Sequence, residues 1–247
     1  MRQNLATLSL ALLIPAAVAC GPQVSDDSAA SARHVLPARV TARPAASRPV
    51  TAVASAAKVV FLGDSLTAGL GLAEDQAYPA LVERELRDEG TPVQVINAGV
   101  SGDTTAGGLS RLGWLLGQHP DVVVVALGAN DGLRGLPLSE IETNLREIVR
   151  RSKAAGARVL LLGMRIPPNY GPYAGDFAAL YPRLAKELDV PLVPFLLAGV
   201  GGIRGLNQAD GIHPTAEGQE ILAKNVRPYL VEILQTKEGE RGRTAVQ

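Results

Sequence analysis

Four short polar clusters in this chain hold residue types that can do nucleophilic chemistry together. They are Gly63-Asp64-Ser65-Leu66, Ser101-Gly102-Asp103-Thr104, Gly128-Ala129-Asn130-Asp131 and Asp210-Gly211-Ile212-His213-Pro214. A serine hydroxyl is a poor nucleophile until a base takes its proton, and a neutral imidazole does that near pH 7. The imidazole needs a carboxylate to fix its tautomer and steady its positive charge. Asp210 stands three residues before His213, where a short turn can bring carboxylate and ring together. The chain has 3 histidines: His34 lies in an N-terminal tether and His119 in a helix-to-strand loop before Pro120, so His213 is the candidate base. The tetrahedral intermediate of acyl transfer also needs donors for its oxyanion, and the N–H groups of Ser65 and Gly102 with the Asn130 amide are the candidates. The set Ser65, Asp210 and His213 therefore points to hydrolysis through an acyl-serine.

Taken singly, each cluster has a plainer structural reading. Ser65 could cap a helix, Asn130 could hold its own turn, and Gly102 could supply only a positive φ. It is the combination that implies chemistry, and the elements between the clusters must bring them together. Apolar runs at Val59–Leu62, Val93–Ile96, Val122–Leu127, Val159–Leu162 and Leu192–Val193 read as buried strands. Between them, helical spacing places Tyr78, Leu81, Val82 and Leu86 on one face. The same spacing recurs at Leu109, Leu112 and Leu116, from Ile141 to Val149, from Phe177 to Leu188 and from Ile221 to Ile233, with Gly156 as a helix stop. Strands alternating with helices predict a five-stranded parallel sheet covered on both faces, a three-layer α/β/α domain over residues 58–235. In such sheets ligands bind beyond the carboxyl ends of the strands. All four clusters fall there.

Composition narrows the field. The 247 residues carry 24 Lys+Arg against 24 Asp+Glu and are 47% apolar, which fits one globular domain and lacks the basic footprint of a nucleic-acid binder. The nucleophile elbow of α/β-hydrolases is absent, because Thr67 stands where its second glycine would be. Gly69-Leu70-Gly71 lacks the third glycine and distant acid of a dinucleotide site. One His and one Asp without a nearby Cys do not make a zinc site, so neither metal nor cofactor is expected. A paired-acid glycosidase built on Asp64, Asp103 and Asp131 would leave the serine and imidazole unexplained.

The N-terminus reads as an export signal over residues 1–19: Arg2, an apolar stretch from Leu5 to Ala16, then Ala17-Val18-Ala19 before Cys20. Cys20 is the only cysteine, and its position resembles that of a lipoprotein signal, with the lipidated cysteine as the mature N-terminus; simple cleavage leaving a free thiol is the plainer alternative. Residues 20–57 are rich in Ala, Pro and Ser and read as a disordered tether, able to reach ~120 Å when extended. Residues 236–247 read as a disordered tail. The expected protein is an exported, periplasmic or cell-envelope monomer held to a membrane through Cys20, acting on a small acyl substrate without a nucleic-acid partner.

The four clusters resemble the SGNH hydrolase superfamily, named for a Ser, Gly, Asn and His that match Ser65, Gly102, Asn130 and His213. Further matching blocks are Gly128-Ala129-Asn130-Asp131-Gly132-Leu133-Arg134, Leu180-Tyr181-Pro182-Arg183-Leu184-Ala185-Lys186 and Asp189-Val190-Pro191-Leu192. They resemble the superfamily's bacterial thioesterase, arylesterase and lysophospholipase group in register across residues 58–234. The resemblance implies a flavodoxin-like sheet, no metal, and hydrolysis of aryl and alkyl esters, thioesters and lysophospholipids. It also implies substrate contacts at Asp64, Asp131, Gly132, Leu133 and Arg134, and an acyl-chain contact at Ile166-Pro167. The sequence departs from the group at Gly199–Leu206, a glycine-rich stretch expected to be loose. A carbohydrate O-acetylesterase of the same fold, or a non-catalytic surface-anchored binding lipoprotein, are the alternatives.

Overall fold

Four consecutive apolar residues, Val59 to Leu62, are fully buried, and so are Val122 to Leu127. A run apolar on both faces belongs in the middle of a sheet covered on both sides. The computed structural model describes residues 55–244, and it puts these runs in two adjacent interior strands. Strands β1 (Ala57–Gly63), β2 (Val93–Gly99), β3 (Val122–Ala126), β4 (Arg158–Leu162) and β5 (Leu192–Val193) form one sheet in the order β2-β1-β3-β4-β5, parallel throughout.

The connections are helical, as parallel neighbours require. After the one-turn helix α1 (Ser65–Ala68) come α2 (Tyr78–Asp88), α3 (Thr105–Leu116), the short α4 (Ala129–Leu133), α5 (Leu138–Ala154), α6 (Pro172–Leu188) and α7 (Ala216–Thr244). Helices α2 and α7 pack together, while α5 packs against both α3 and α6, so the two groups cover opposite faces of the sheet. The three-layer α/β/α reading and its five parallel strands hold. Local signals account for several boundaries: Pro79 and Pro172 open α2 and α6, and Gly156, at φ +84°, follows the end of α5.

Two short helices lay outside the sequence expectation. Helices α1 and α4 are four and five residues long, too short to show an apolar period. Helix α7 also continues to Thr244, past the boundary expected at 235, although its last buried apolar residues are Ile233 and Leu234. Lys237, Glu238, Glu240 and Arg241 are good helix formers by type, so propensity favours continuing the backbone past the apolar face. The export signal, most of the tether and Cys20 lie outside the described residues.

The strand order reverses between β1 and β3. That is where a crevice opens beyond the carboxyl ends of a doubly wound sheet.

Candidate active site

Strand β1 delivers Asp64 and Ser65 to this crevice. Asp64 is the N-cap of α1, accepting a hydrogen bond from Leu66 N at 3.0 Å, and Ser65 is the first helical residue. The capping role considered for Ser65 thus falls to its neighbour, which leaves the serine hydroxyl uncommitted to the backbone. Ser65 Oγ lies 2.8 Å from His213 Nε2, across 148 positions of sequence. On its other side the ring places Nδ1 2.6 Å from Asp210 Oδ2. Asp210 Oδ1 accepts the backbone N–H groups of Ile212 and His213 at 2.9 and 3.0 Å, so the carboxylate organises the turn carrying its own partner. The His213 ring and these two N–H groups hold the Asp210 carboxyl down at about 2. With Nδ1–H donating to that carboxylate, Nε2 keeps its lone pair for the Ser65 O–H.

The loop carrying His213 is held by groups that no motif marks. Gln208 N donates to His213 O at 2.7 Å, and the Gln208 amide donates to Leu70 O and Pro214 O at 2.7 and 3.0 Å. Asn207 is buried, with its amide donating to Val200 O and Ile203 O at 2.7 and 2.8 Å. The glycine-rich stretch expected to be loose is therefore stapled by a buried side chain. A cavity of about 530 Å³ lies beside Asp210, lined by Ile203, Arg204, Asn207 and Gln208 among others.

The remaining donors come from the ends of β2 and β3. Gly102 has φ +80°, a conformation an L side chain rarely adopts, which is why glycine stands there. The N–H groups of Ser65 and Gly102 have no hydrogen-bond acceptor among the described residues. Asn130, on α4, donates from its amide nitrogen to Asp103 O at 3.0 Å and, at a longer 3.3 Å, to Asp64 Oδ2. Gly128 begins α4 at φ +111°, where a Cβ would stand 2.2 Å from the Tyr181 hydroxyl. That hydroxyl donates to Leu127 O, so the close approach fixes the strand end from which Asn130 projects.

Two carboxylates expected at the substrate are buried and committed elsewhere. Asp131 accepts from Thr105 N at 3.0 Å and Thr105 Oγ1 at 2.5 Å, anchoring the first turn of α3. Asp64 is 1% exposed, and burial pushes its carboxyl up from 3.8 to about 6 against the lowering pull of Leu66 N–H and the nearby His213. Both carry a positional role, because helix starts leave orphan N–H groups that a buried carboxylate satisfies. The rest of the expected contacts divide. Gly132 is buried where a Cβ would meet Phe177 and Ile166 within 3.0 Å, and Ile166 itself belongs to the core. Leu133 is half-buried with its carbonyl on Tyr170, while Pro167 and Arg134 are exposed, the latter donating to Gly102 O at 3.0 Å.

Arg111, on α3, is the main residue that sequence reasoning missed. Its guanidinium donates to Asp103 Oδ2 at 2.8 Å, Ala98 O at 2.7 Å and Gly63 O at 2.9 Å. One side chain thus ties together the ends of β1 and β2 and the loop bearing Gly102. Nothing in the sequence distinguishes it from any arginine on the polar side of an amphipathic helix.

A hydroxyl on an imidazole, a carboxylate behind the ring and N–H groups of Ser65 and Gly102 without an acceptor among the described residues, set on a three-layer α/β/α sheet, define a serine hydrolase of the SGNH type. The comparisons with known proteins agree. The profile of the GDSL-like lipase/acylhydrolase family matches residues 61–221. Esterase TesA of Pseudomonas aeruginosa is 46% identical over 75% of this chain and 93% of its own length. Thioesterase 1/protease 1/lysophospholipase L1 of Escherichia coli is 45% identical over 69% of this chain and 81% of its own. A crystal structure of TesA superimposes with a TM-score of 0.69 at 47% identity, covering 71% of this chain and 99% of that one. The chain belongs to the GDSL-like lipase/acylhydrolase family and is a hydrolase of the esterase class.

Proposed function

We propose that Ser65, His213 and Asp210 hydrolyse acyl esters and thioesters through an acyl-serine. The observation that carries this reading is the 2.8 Å approach of His213 Nε2 to Ser65 Oγ, with Asp210 on the far side of the ring. Nε2 takes the Ser65 proton as Oγ bonds to the acyl carbon, and the negative charge moves to the former carbonyl oxygen. The N–H groups of Ser65 and Gly102 receive that oxyanion. Asn130 joins them by releasing its longer bond to Asp64 while keeping its bond to Asp103 O. When the tetrahedral intermediate collapses, the imidazolium gives its proton to the departing alkoxide or thiolate. A water then repeats the sequence on the acyl-serine, and the carboxylic acid leaves.

The substrate range follows the relatives' names, thioesterase and lysophospholipase as well as esterase. The cell-envelope location and lipid anchor rest on the signal-like residues 1–19 and on Cys20, and we take the protein to act as a monomer. An organophosphate should add its mass to the peptide bearing Ser65 and abolish turnover of p-nitrophenyl butyrate, with Ser65→Ala resisting both. Labelling at another residue, or undiminished turnover by Ser65→Ala, refutes the mechanism. Cys20→Ala should turn a wash-resistant membrane association into one that repeated dilution removes.

A further inference from the structure

Five large apolar side chains stand well exposed among the described residues: Leu70, Val100, Trp114, Ile203 and Ile212, at 44 to 69%. Single exposed apolar residues need no explanation, but clustered ones do. Four of these five stand on loops at the carboxyl rim of the sheet. Leu70 follows α1, Val100 follows β2, Ile203 lies in the glycine-rich stretch and Ile212 sits between Asp210 and His213.

Three of these loops, those of Leu70, Ile203 and Ile212, are also tied to one another. The Gln208 amide joins Leu70 O to Pro214 O, the Gln208 N–H holds His213 O, and the neighbouring Asn207 amide holds Ile203 O. Leu70, Ile203 and Ile212 are therefore exposed on one braced frame that also carries His213, and Val100 is exposed at the end of β2, its N–H on Gly63 O. Solvent-facing charge on these and adjoining segments is mixed: Arg134, Arg165 and Arg204 are exposed, and so are Glu74, Asp75, Asp210 and Glu217. Asp103 is paired with Arg111, and Asp64 and Asp131 are buried. Such balance suits a zwitterionic surface better than a polyanion.

We propose that this apolar rim docks on a zwitterionic phospholipid surface, from which acyl substrates enter the site. The proposal rests on the ester-hydrolase reading above. A protein seated on the same ring would cover Ser65 and exclude substrate, whereas a lipid layer supplies it. The chain preceding the described residues favours the same occupant. Cys20, the expected lipidation site, precedes residue 55 by a stretch that reaches on the order of 100 Å when extended, so the rim can come down onto the membrane that holds the anchor.

The test uses the full chain carrying Cys20→Ser, so that no acyl anchor contributes. Co-sedimentation with phosphatidylcholine vesicles should detect binding, and adding Leu70→Ser with Val100→Ser should weaken the partition by on the order of tenfold to a hundredfold. Both proteins should hydrolyse monomeric p-nitrophenyl butyrate within about twofold of each other. With lysophosphatidylcholine, the rate of the parent should step up at the micellar threshold, and the step should shrink in the variant. Equal vesicle binding by parent and variant, or none by the parent, overturns the proposal. So does a raised KM for monomeric p-nitrophenyl octanoate with vesicle binding unchanged, which would make the rim an acyl-chain groove. Failure of the parent on p-nitrophenyl butyrate would sink the hydrolase reading instead, while vesicle binding still reports on the rim.

Discussion

Replacing Asp64 by Asn should remove one pH-dependent cost of folding. In the folded protein this carboxyl is buried and ionises only near pH 6, whereas in the unfolded chain it ionises near 3.8. Between those values the native state holds a proton that the unfolded state has lost, so this group makes stability fall as pH rises through the window. Below 3.8 both states are protonated and the cost is absent; above about 6 both are ionised and it is present in full. At about 1.4 kcal/mol for each tenfold change in proton affinity, the interval amounts to about 3 kcal/mol. The Asp64→Asn variant would keep the cap, because the amide oxygen can still accept from Leu66 N. It would also turn an NH₂ group toward the Asn130 amide, a cost that does not vary with pH. The stability of Asp64→Asn relative to the parent should therefore rise by about 3 kcal/mol between pH 3 and pH 8. Urea denaturation across that range measures the difference, and the slopes of other titrating groups cancel in it. A difference that stays flat with pH would refute the claim that Asp64 is desolvated.

Other perturbations test the remaining contacts. Asp210→Asn should lower kcat by on the order of 10⁴, by stabilising the wrong imidazole tautomer. Because the Asp210 carboxyl is held down at about 2, the acid limb of the kcat/KM profile should not be its titration; a limb belonging to this carboxyl at the ordinary aspartate value of 3.8 would contradict the short contact with His213. Asn130→Ala should cost about 10²–10³ in kcat with little change in KM, and an unchanged kcat in steady-state assays would remove Asn130 from the oxyanion site. Arg111→Met should reduce kcat by roughly 10- to 100-fold through misplacement of Gly102 and Asn130, and thermal denaturation should reveal a parallel loss of stability. Asp131→Ala strands the Thr105 donors and should cost about 2–4 kcal/mol in denaturant unfolding.

The same residues show how far the sequence reaches. Apolar runs such as Val122–Leu127 and the helical spacing of Ile141, Leu145, Ile148 and Val149 are local patterns, and local patterns sufficed for a parallel α/β/α domain with polar clusters at its strand ends. The types of Ser65, Asp210 and His213 likewise state their chemistry before any coordinates exist. What the chain order could not state is which carboxylates face the crevice and which are swallowed by the core. Asp64 and Asp131 look like site residues beside Ser65 and Asn130, yet they are buried at helix starts, because a packed interior must satisfy the first N–H groups of α1 and α3. Arg111, Gln208 and Asn207 act through backbone carbonyls supplied by other segments of the fold. A carbonyl belongs to every residue and leaves no mark in sequence. Only the packing of β1, β2 and the last loop against one another decides which side chain will meet it.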